Sequence, residues 1–144
     1  MHDVKVRAAT GSDAAAIASL AGELGYPVSA EEMSTRLSAL SDSRNDAIFV
    51  AVLGLTPVAW IHVATVTSLE SPRFAEIRGL VVTSALRSRG VGARLVADAE
   101  NWARAEGVSR IRVRSNLVRE RTHAFYERLG YTTTKSQKVF DKRF

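Results

Sequence analysis

Glycine, arginine and the start of a helical pattern coincide at one point of this 144-residue chain, Arg87-Ser88-Arg89-Gly90-Val91-Gly92-Ala93-Arg94. An apolar stretch, 76–82, runs into it. Leu95, Val96, Ala99, Trp102 and Ala103 continue beyond it at helical spacing. A helix N-terminus offers unpaired N–H groups and the positive end of its dipole, which suits phosphate. Gly90 and Gly92 have no side chain to hold a phosphate away. Arg87, Arg89 and Arg94 add charge around the same spot. A P-loop is excluded because no Gly-Lys-Ser/Thr ending is present. A dinucleotide fingerprint is excluded too, since only two glycines are here and the segment lies in mid-chain. A lone Gly-x-Gly is more often a turn. The arginines and the strand–loop–helix setting raise this one well above that, and a phosphate site is expected here.

Other chemistries can be ruled out by composition. There is no cysteine, so disulfides, thiolate metal sites and cysteine nucleophiles are excluded. His2, His62 and His123 are too scattered to suggest a metal site, and none is expected. No apolar run approaches the ~20 residues that span a bilayer, and the N-terminus lacks a signal pattern. The expectation is a cytoplasmic enzyme without membrane association. Residues 1–72 hold 4 Lys/Arg and 8 Asp/Glu, a balance of −4, while residues 73–144 hold 16 and 7, a balance of +9. The second half therefore suits an anion, although charge alone also fits a solvated surface. Nucleic acid is not expected as that anion, because the basic residues are not interleaved with stacking aromatics.

The elements that would position the loop follow from periodicity and punctuation. Residues 4–7 alternate as a strand, and Ser12-Asp13 opens an alanine-rich helix to about Leu24, broken by Gly25-Tyr26-Pro27. Ser29 with Glu32 forms a capping-box pattern for a second helix carrying Met33, Leu37 and Leu40 on one face. Residues 46–53 and 57–66 read as strands joined at Gly54-Leu55. A strand over 76–82, a helix over 90–106 closed by Gly107, a strand over 108–114, a helix over 119–129 closed by Gly130 and a last strand over 131–140 complete the chain. The order β-α-α-β-β-β-α-β-α-β predicts one mixed α/β domain over 1–144.

These residues resemble the GNAT, or Gcn5-related, N-acetyltransferases. Their signature Arg/Gln-x-x-Gly-x-Gly/Ala is matched by Arg87-Ser88-Arg89-Gly90-Val91-Gly92. A second block matches as Asn116 after a strand, then His123-Ala124-Phe125-Tyr126-Glu127-Arg128-Leu129-Gly130-Tyr131. The element order agrees over essentially the whole chain, whereas the first 70 residues carry no specific match. The resemblance implies a GNAT-like α/β domain whose mixed central sheet splays at the acyl-CoA site. It also implies acetyl-CoA as co-substrate. Leu80, Val81 and Val82 would pair with the pantetheine arm like an added strand. Amides of Arg87, Ser88, Arg89, Gly90, Val91, Gly92 and Ala93 would hold the pyrophosphate, and Asn116 would meet the pantetheine or its thioester end. Tyr126 aligns with the tyrosine that protonates the leaving thiolate. Glu76, in Phe74-Ala75-Glu76-Ile77, resembles the general base of the histone acetyltransferase branch.

The implied activity is acetyl transfer from acetyl-CoA to a primary amine by direct attack in a ternary complex, since no cysteine can carry the acyl group. The acceptor is a small-molecule or peptide amine, and a homodimer is left open. Blander roles stand beside these. Glu76 also reads as a surface charge at a strand end, and Tyr126 as a core aromatic beside Phe125 and Leu129. His62 and His123 read as structural, Trp60 and Trp102 as core, and Arg78 as facing either an acceptor cleft or solvent. A non-catalytic acyl-CoA sensor of the same fold is the alternative of another class, and turnover separates the two. A basic nucleic-acid binder would instead show strongly salt-dependent binding.

Overall fold

The computed structural model describes residues 3–115, 117 and 119–144. The chain divides into two compact units, Met1–Val113 and Arg114–Phe144. In the first, β1 (Val4–Ala8), β2 (Asp46–Leu53), β3 (Thr56–Val66), β4 (Phe74–Val82) and β5 (Ile111–Val113) form one sheet in that spatial order. Neighbours from β1 to β4 are antiparallel, and β5 is parallel to β4. The helices are α1 (Ala14–Glu23), α2 (Ala30–Ser41) and α3 (Val91–Ala105). The mixed α/β fold expected from the sequence is the fold observed.

Both sheet faces are covered, which is why the strands read as continuous apolar runs. Ala14 and Ile17 of α1 and Leu37 of α2 pack with Val50 and Val52, with Met33, Ile48 and Trp60 at the margin. Ala51 and Ile61 point the other way and are equally inaccessible; α3, which packs on β2, β3 and β4, covers that face. The α2 capping box forms as expected, with Ser29 Oγ accepting from the Glu32 N–H at 3.0 Å and Glu32 Oε1 from the Ser29 N–H at 3.1 Å. Asp13 sits at the end of a 3-10 turn, Gly11–Asp13, ahead of α1. Its buried carboxylate accepts from the Thr10 N–H at 2.8 Å and from Arg7 at 2.7 and 2.9 Å. No helix among the described residues is long and apolar enough to cross a membrane.

The second unit carries α4 (Glu120–Arg128). Gly130 follows its end at φ +94, a left-handed conformation that suits glycine. The strand expected over 131–140 is not formed. Residues 132–144 are exposed. From Thr132 to Lys138 every side chain is polar or charged, so an extended segment there has no apolar face to bury. The strand expected over 108–114 shortens to Ile111–Val113.

Candidate active site

The Gly-bearing loop is held from behind. Thr83 N–H donates to the Val58 carbonyl at 2.8 Å, extending the β3–β4 ladder. Glu23, the last residue of α1, accepts from the Ser84 N–H at 3.1 Å and from Thr83 Oγ1 at 3.3 Å. A 3-10 turn, Ser84–Leu86, follows, and then left-handed backbone at Ser88 (φ 64) and Gly90 (φ 83). Gly90 is the N-cap of α3 and supplies no side-chain cap, and no acidic residue lies in the first turn. The first helical bond runs from the Arg94 N–H to the Gly90 carbonyl, so the amides before it have no partner within the helix. Arg87, Ser88, Arg89 and Gly90 are exposed. A cleft of about 410 Å³ opens here, lined by Asp3, Val4, Lys5, Arg89, Gly90, Val91 and Arg94. Arg94 also donates to the Val4 carbonyl and so ties the start of α3 to β1.

Strand β4 outruns its neighbour. Its ladder with β5 consists of Ala75↔Ile111, Glu76↔Arg112 and Ile77↔Val113, whereas β4 continues to Val82. Leu80, Val81 and Val82 therefore lie beyond the last β5 pair while staying paired to β3 through Ile61, Trp60 and Ala59. The β4 edge from Leu80 to Val82 thus has no β5 partner as it approaches the loop.

A polar cluster occupies the sheet face that also carries Trp60. The register places Asp46 opposite Ala64, Ala64 opposite Glu76, and Glu76 opposite Arg112, so one row crosses four strands on a single face. Two irregularities create the row. A shift between Ala51 and Val52 puts Asp46 on the same face as His62, and a shift between His62 and Val63 makes Arg78 the extra residue and turns Glu76 to that face. His62 Nε2 lies 2.7 Å from Asp46 Oδ1, and Ser43 Oγ donates to Asp46 Oδ2 at 2.6 Å. Burial works to raise the Asp46 carboxyl, but the bonds from Ser43 and His62, with the Arg78 charge nearby, outweigh it and hold it below its ordinary value.

Glu76, 5% exposed, is bonded by Arg112 Nε at 2.9 Å and by its terminal nitrogen at 2.7 Å, both on Oε2, while Arg78 approaches Oε1 at 3.3 Å. The surface-charge reading of Glu76 thus gives way to a buried ion pair, and Arg78 turns out to be exposed yet bound to it. Trp60 lies on Gly79, where an added Cβ would come within 2.9 Å of the indole. A side chain at position 79 would therefore force the indole to move. Sequence reasoning did not single out Asp46, Gly79 or Arg112. The available signal was an acid at the head of an apolar strand and a histidine in the middle of the next.

In the second unit Tyr126 is buried and stacks edge-on with Phe125 (centroids 4.9 Å) and Tyr131 (5.4 Å). Burial pushes its phenol up to about 12, so it keeps its proton at neutral pH. Asn116 lies outside the described residues.

Comparison with known proteins bears on the family and the fold. The model of the acetyltransferase (GNAT) family matches residues 15–131. An uncharacterised N-acetyltransferase, YhdJ of Bacillus subtilis strain 168, is 39% identical over 57 residues, which cover 39% of this chain and 40% of that protein. Aminoglycoside N-acetyltransferase AAC(6')-Iy, solved with CoA, superposes with a TM-score of 0.89 over 100% of this chain and 97% of its own, at 16% identity. A GNAT family acetyltransferase of Staphylococcus aureus gives 0.79 over 100% of both chains at 21% identity.

Proposed function

The chain belongs to the GNAT acetyltransferase family, and we propose that it works as one N-acetyltransferase domain over 1–144, moving an acetyl group from acetyl-CoA to a primary amine by direct attack in a ternary complex. The observation that carries this reading is the start of α3. Its first-turn amides are uncapped, Gly90 leaves open space where a side chain would stand, and a cleft with Arg89 and Arg94 on its walls adjoins them. That donor set fits the pyrophosphate of a coenzyme A. The backbone of Leu80, Val81 and Val82 would take the pantetheine arm as an added strand, because β5 no longer pairs with β4 there. An N–H in the same stretch would serve the oxyanion.

Acetyl-CoA supplies the thioester carbon. The protein must bind it, take a proton from the amine and stabilise the departing sulfur. An alkyl amine with pKa near ~10 arrives protonated. Tyr126 holds a proton and is proposed as the donor to the sulfur. A phenol near 12 lies above an ordinary thiol at ~8.5, so its first contribution is a hydrogen bond to the developing thiolate. An aminoglycoside N-acetyltransferase shares the fold, which supports a small-molecule amine as acceptor.

The experiment is a screen of primary amines with acetyl-CoA, following free thiol and the acetylated product. Amine-dependent thiol release supports the reading. CoA binding without release for any amine overturns it in favour of a sensor.

A further inference from the structure

We propose that His62, oriented by Asp46, takes the proton from the acceptor amine, and that Glu76 instead fastens β4 to β5; this rests on the acetyl-transfer reading above. The geometry favours the imidazole. Asp46 Oδ1 stands 2.7 Å from Nε2, so the ring proton is held there and the lone pair is left on Nδ1. Nδ1 has no hydrogen-bond partner among the described residues. A carboxylate behind the ring fixes its orientation and stabilises the imidazolium once formed. Ser43 in turn holds that carboxylate at 2.6 Å. The side chains of His62 and Asp46 are 17% and 16% exposed, enclosed enough to stay ordered and open enough to be reached.

Position in the sheet points the same way. His62 stands opposite Gly79, directly beside the extra residue of β4 and one position before Leu80. The stretch that outruns β5 begins there. Trp60, two residues along β3 and on the same face, lays its ring on Gly79, the residue opposite His62. Asp46 of β2 bonds His62 directly, Ser43 from the turn before β2 bonds Asp46, and Arg78 of β4 acts on Asp46 while pairing with Glu76. The helix side chains packed on this face, Ile17, Met33 and Leu37, are apolar.

Glu76 is less suited to the task. Arg112 holds one of its oxygens and Arg78 the other, so taking a proton would break two ion pairs in a buried site.

The protons balance. The ammonium gives up two in all. One passes to His62 Nδ1, which returns it to solvent. The amine nitrogen then forms the C–N bond to the thioester carbon, the C–S bond breaks, and the second proton ends on the leaving thiolate.

The test uses the full chain with acetyl-CoA and an accepted amine, from about pH 5 to 8, the range of imidazole titration. In the wild type the rate should rise with pH through a single limb and level off within the range. His62→Gln should lower kcat by ~10²–10⁴, replace that limb by a rate still climbing at the top of the range, because only the neutral amine then reacts, and leave CoA affinity by calorimetry unchanged. Asp46→Asn should keep activity in part and move the limb to lower pH, because the imidazolium loses its counter-charge. Glu76→Gln should keep the limb whatever its overall rate. Imidazole ¹⁵N NMR of the wild type, which needs no variant to fold, should show the Nε2–H tautomer. The proposal is overturned if His62→Gln keeps the limb, if Glu76→Gln alone removes it, or if the proton sits on Nδ1. A wild type that binds CoA but acetylates no amine overturns the parent reading and this proposal with it. An active wild type with an unaltered His62→Gln profile overturns this proposal alone.

Discussion

Glu76 on β4 and Arg112 on β5 face each other in register and join through Arg112 Nε at 2.9 Å and a terminal guanidinium nitrogen at 2.7 Å. They sit on the middle rung of a three-rung ladder, just before β4 runs on without β5. The pair therefore holds two parallel strands together next to the point where they part. Arg112 also lies over the Phe74 ring at 4.5 Å, beside Arg110 at 4.3 Å, so the guanidinium is fixed from a second side.

Replacing Glu76 by Gln should therefore act on stability first. Glu76 is nearly inaccessible, while the Arg112 side chain keeps 23% of its exposure and can turn to water. The expected loss is about 1.5–3 kcal/mol, the scale of a hydrogen bond to a charged group. Chemical denaturation should show a lower midpoint at unchanged slope. If stability holds and the rate falls only at low pH, Glu76 is a base and not an anchor.

Gly90 tests the phosphate site. Its φ of +83 makes any side chain costly, about 1–2 kcal/mol, yet a Cβ there meets nothing within 4 Å of the protein. Gly90→Val should fold with reduced stability and lose CoA affinity by at least about tenfold, equivalent to ~1.4 kcal/mol, because the side chain takes the place meant for the pyrophosphate. Isothermal titration with CoA decides. A folded Gly90→Val with wild-type affinity would move the phosphate elsewhere.

Where sequence signals were local they were legible. Ser29 with Glu32, Gly107 and Gly130 mark helix ends by rules that depend on a few neighbouring residues, and the loop at 87–92 carries its own chemistry. The polar row was not legible, for a definite reason. Counting back from the hairpin pair Leu53↔Thr56 without interruption sets Ala47 opposite His62 and turns Asp46 to the other face. One residue of slip at Ala51/Val52 reverses this. The extra residue is Val58 of β3, and the local hint, Pro57 beside it, fits a strand start as well as a bulge. The 131–140 segment failed as a strand for the opposite reason. Threonine and valine favour extended backbone, but a strand needs a partner edge, and propensity does not report one.

Asp13 gives a pH prediction. The hydrogen bonds from Arg7 lower its carboxyl, burial opposes them, and the Thr10 amide, the Arg7 charge and the Thr10 hydroxyl add to the lowering. A carboxyl depressed in the folded state contributes stability above its unfolded pKa of ~3.9 and loses it as pH falls through the folded value. Unfolding midpoints should thus drop steeply below about pH 4 in the wild type. Asp13→Asn should be less stable at neutral pH, by about 1–2 kcal/mol for the weakened bonds to the half-exposed Arg7, and should lose part of that acid dependence. Equal acid profiles for the two proteins would show that Asp13 does not couple to folding.

Tyr126 offers the last test, of the sulfur's exit. Its ring is packed edge-on against Phe125 and Tyr131, and its amide neighbourhood is fixed by the bond from the Tyr131 N–H to its carbonyl at 3.0 Å. Phenylalanine keeps the ring and both aromatic contacts, so Tyr126→Phe should fold and bind acetyl-CoA as the wild type does. Only the hydroxyl is lost. Because burial holds that hydroxyl protonated up to about 12, the deficit should be constant across the neutral range instead of following a limb. Its size should fall in the ~10²–10⁴ range of acid catalysis. A thioester whose leaving thiol is more acidic needs less help, so the deficit should shrink with such a substrate. Single-turnover rates isolate the chemical step from product release. If Tyr126→Phe matches the wild type there, with both thioesters, the phenol is a packing residue and the thiolate finds its proton in solvent.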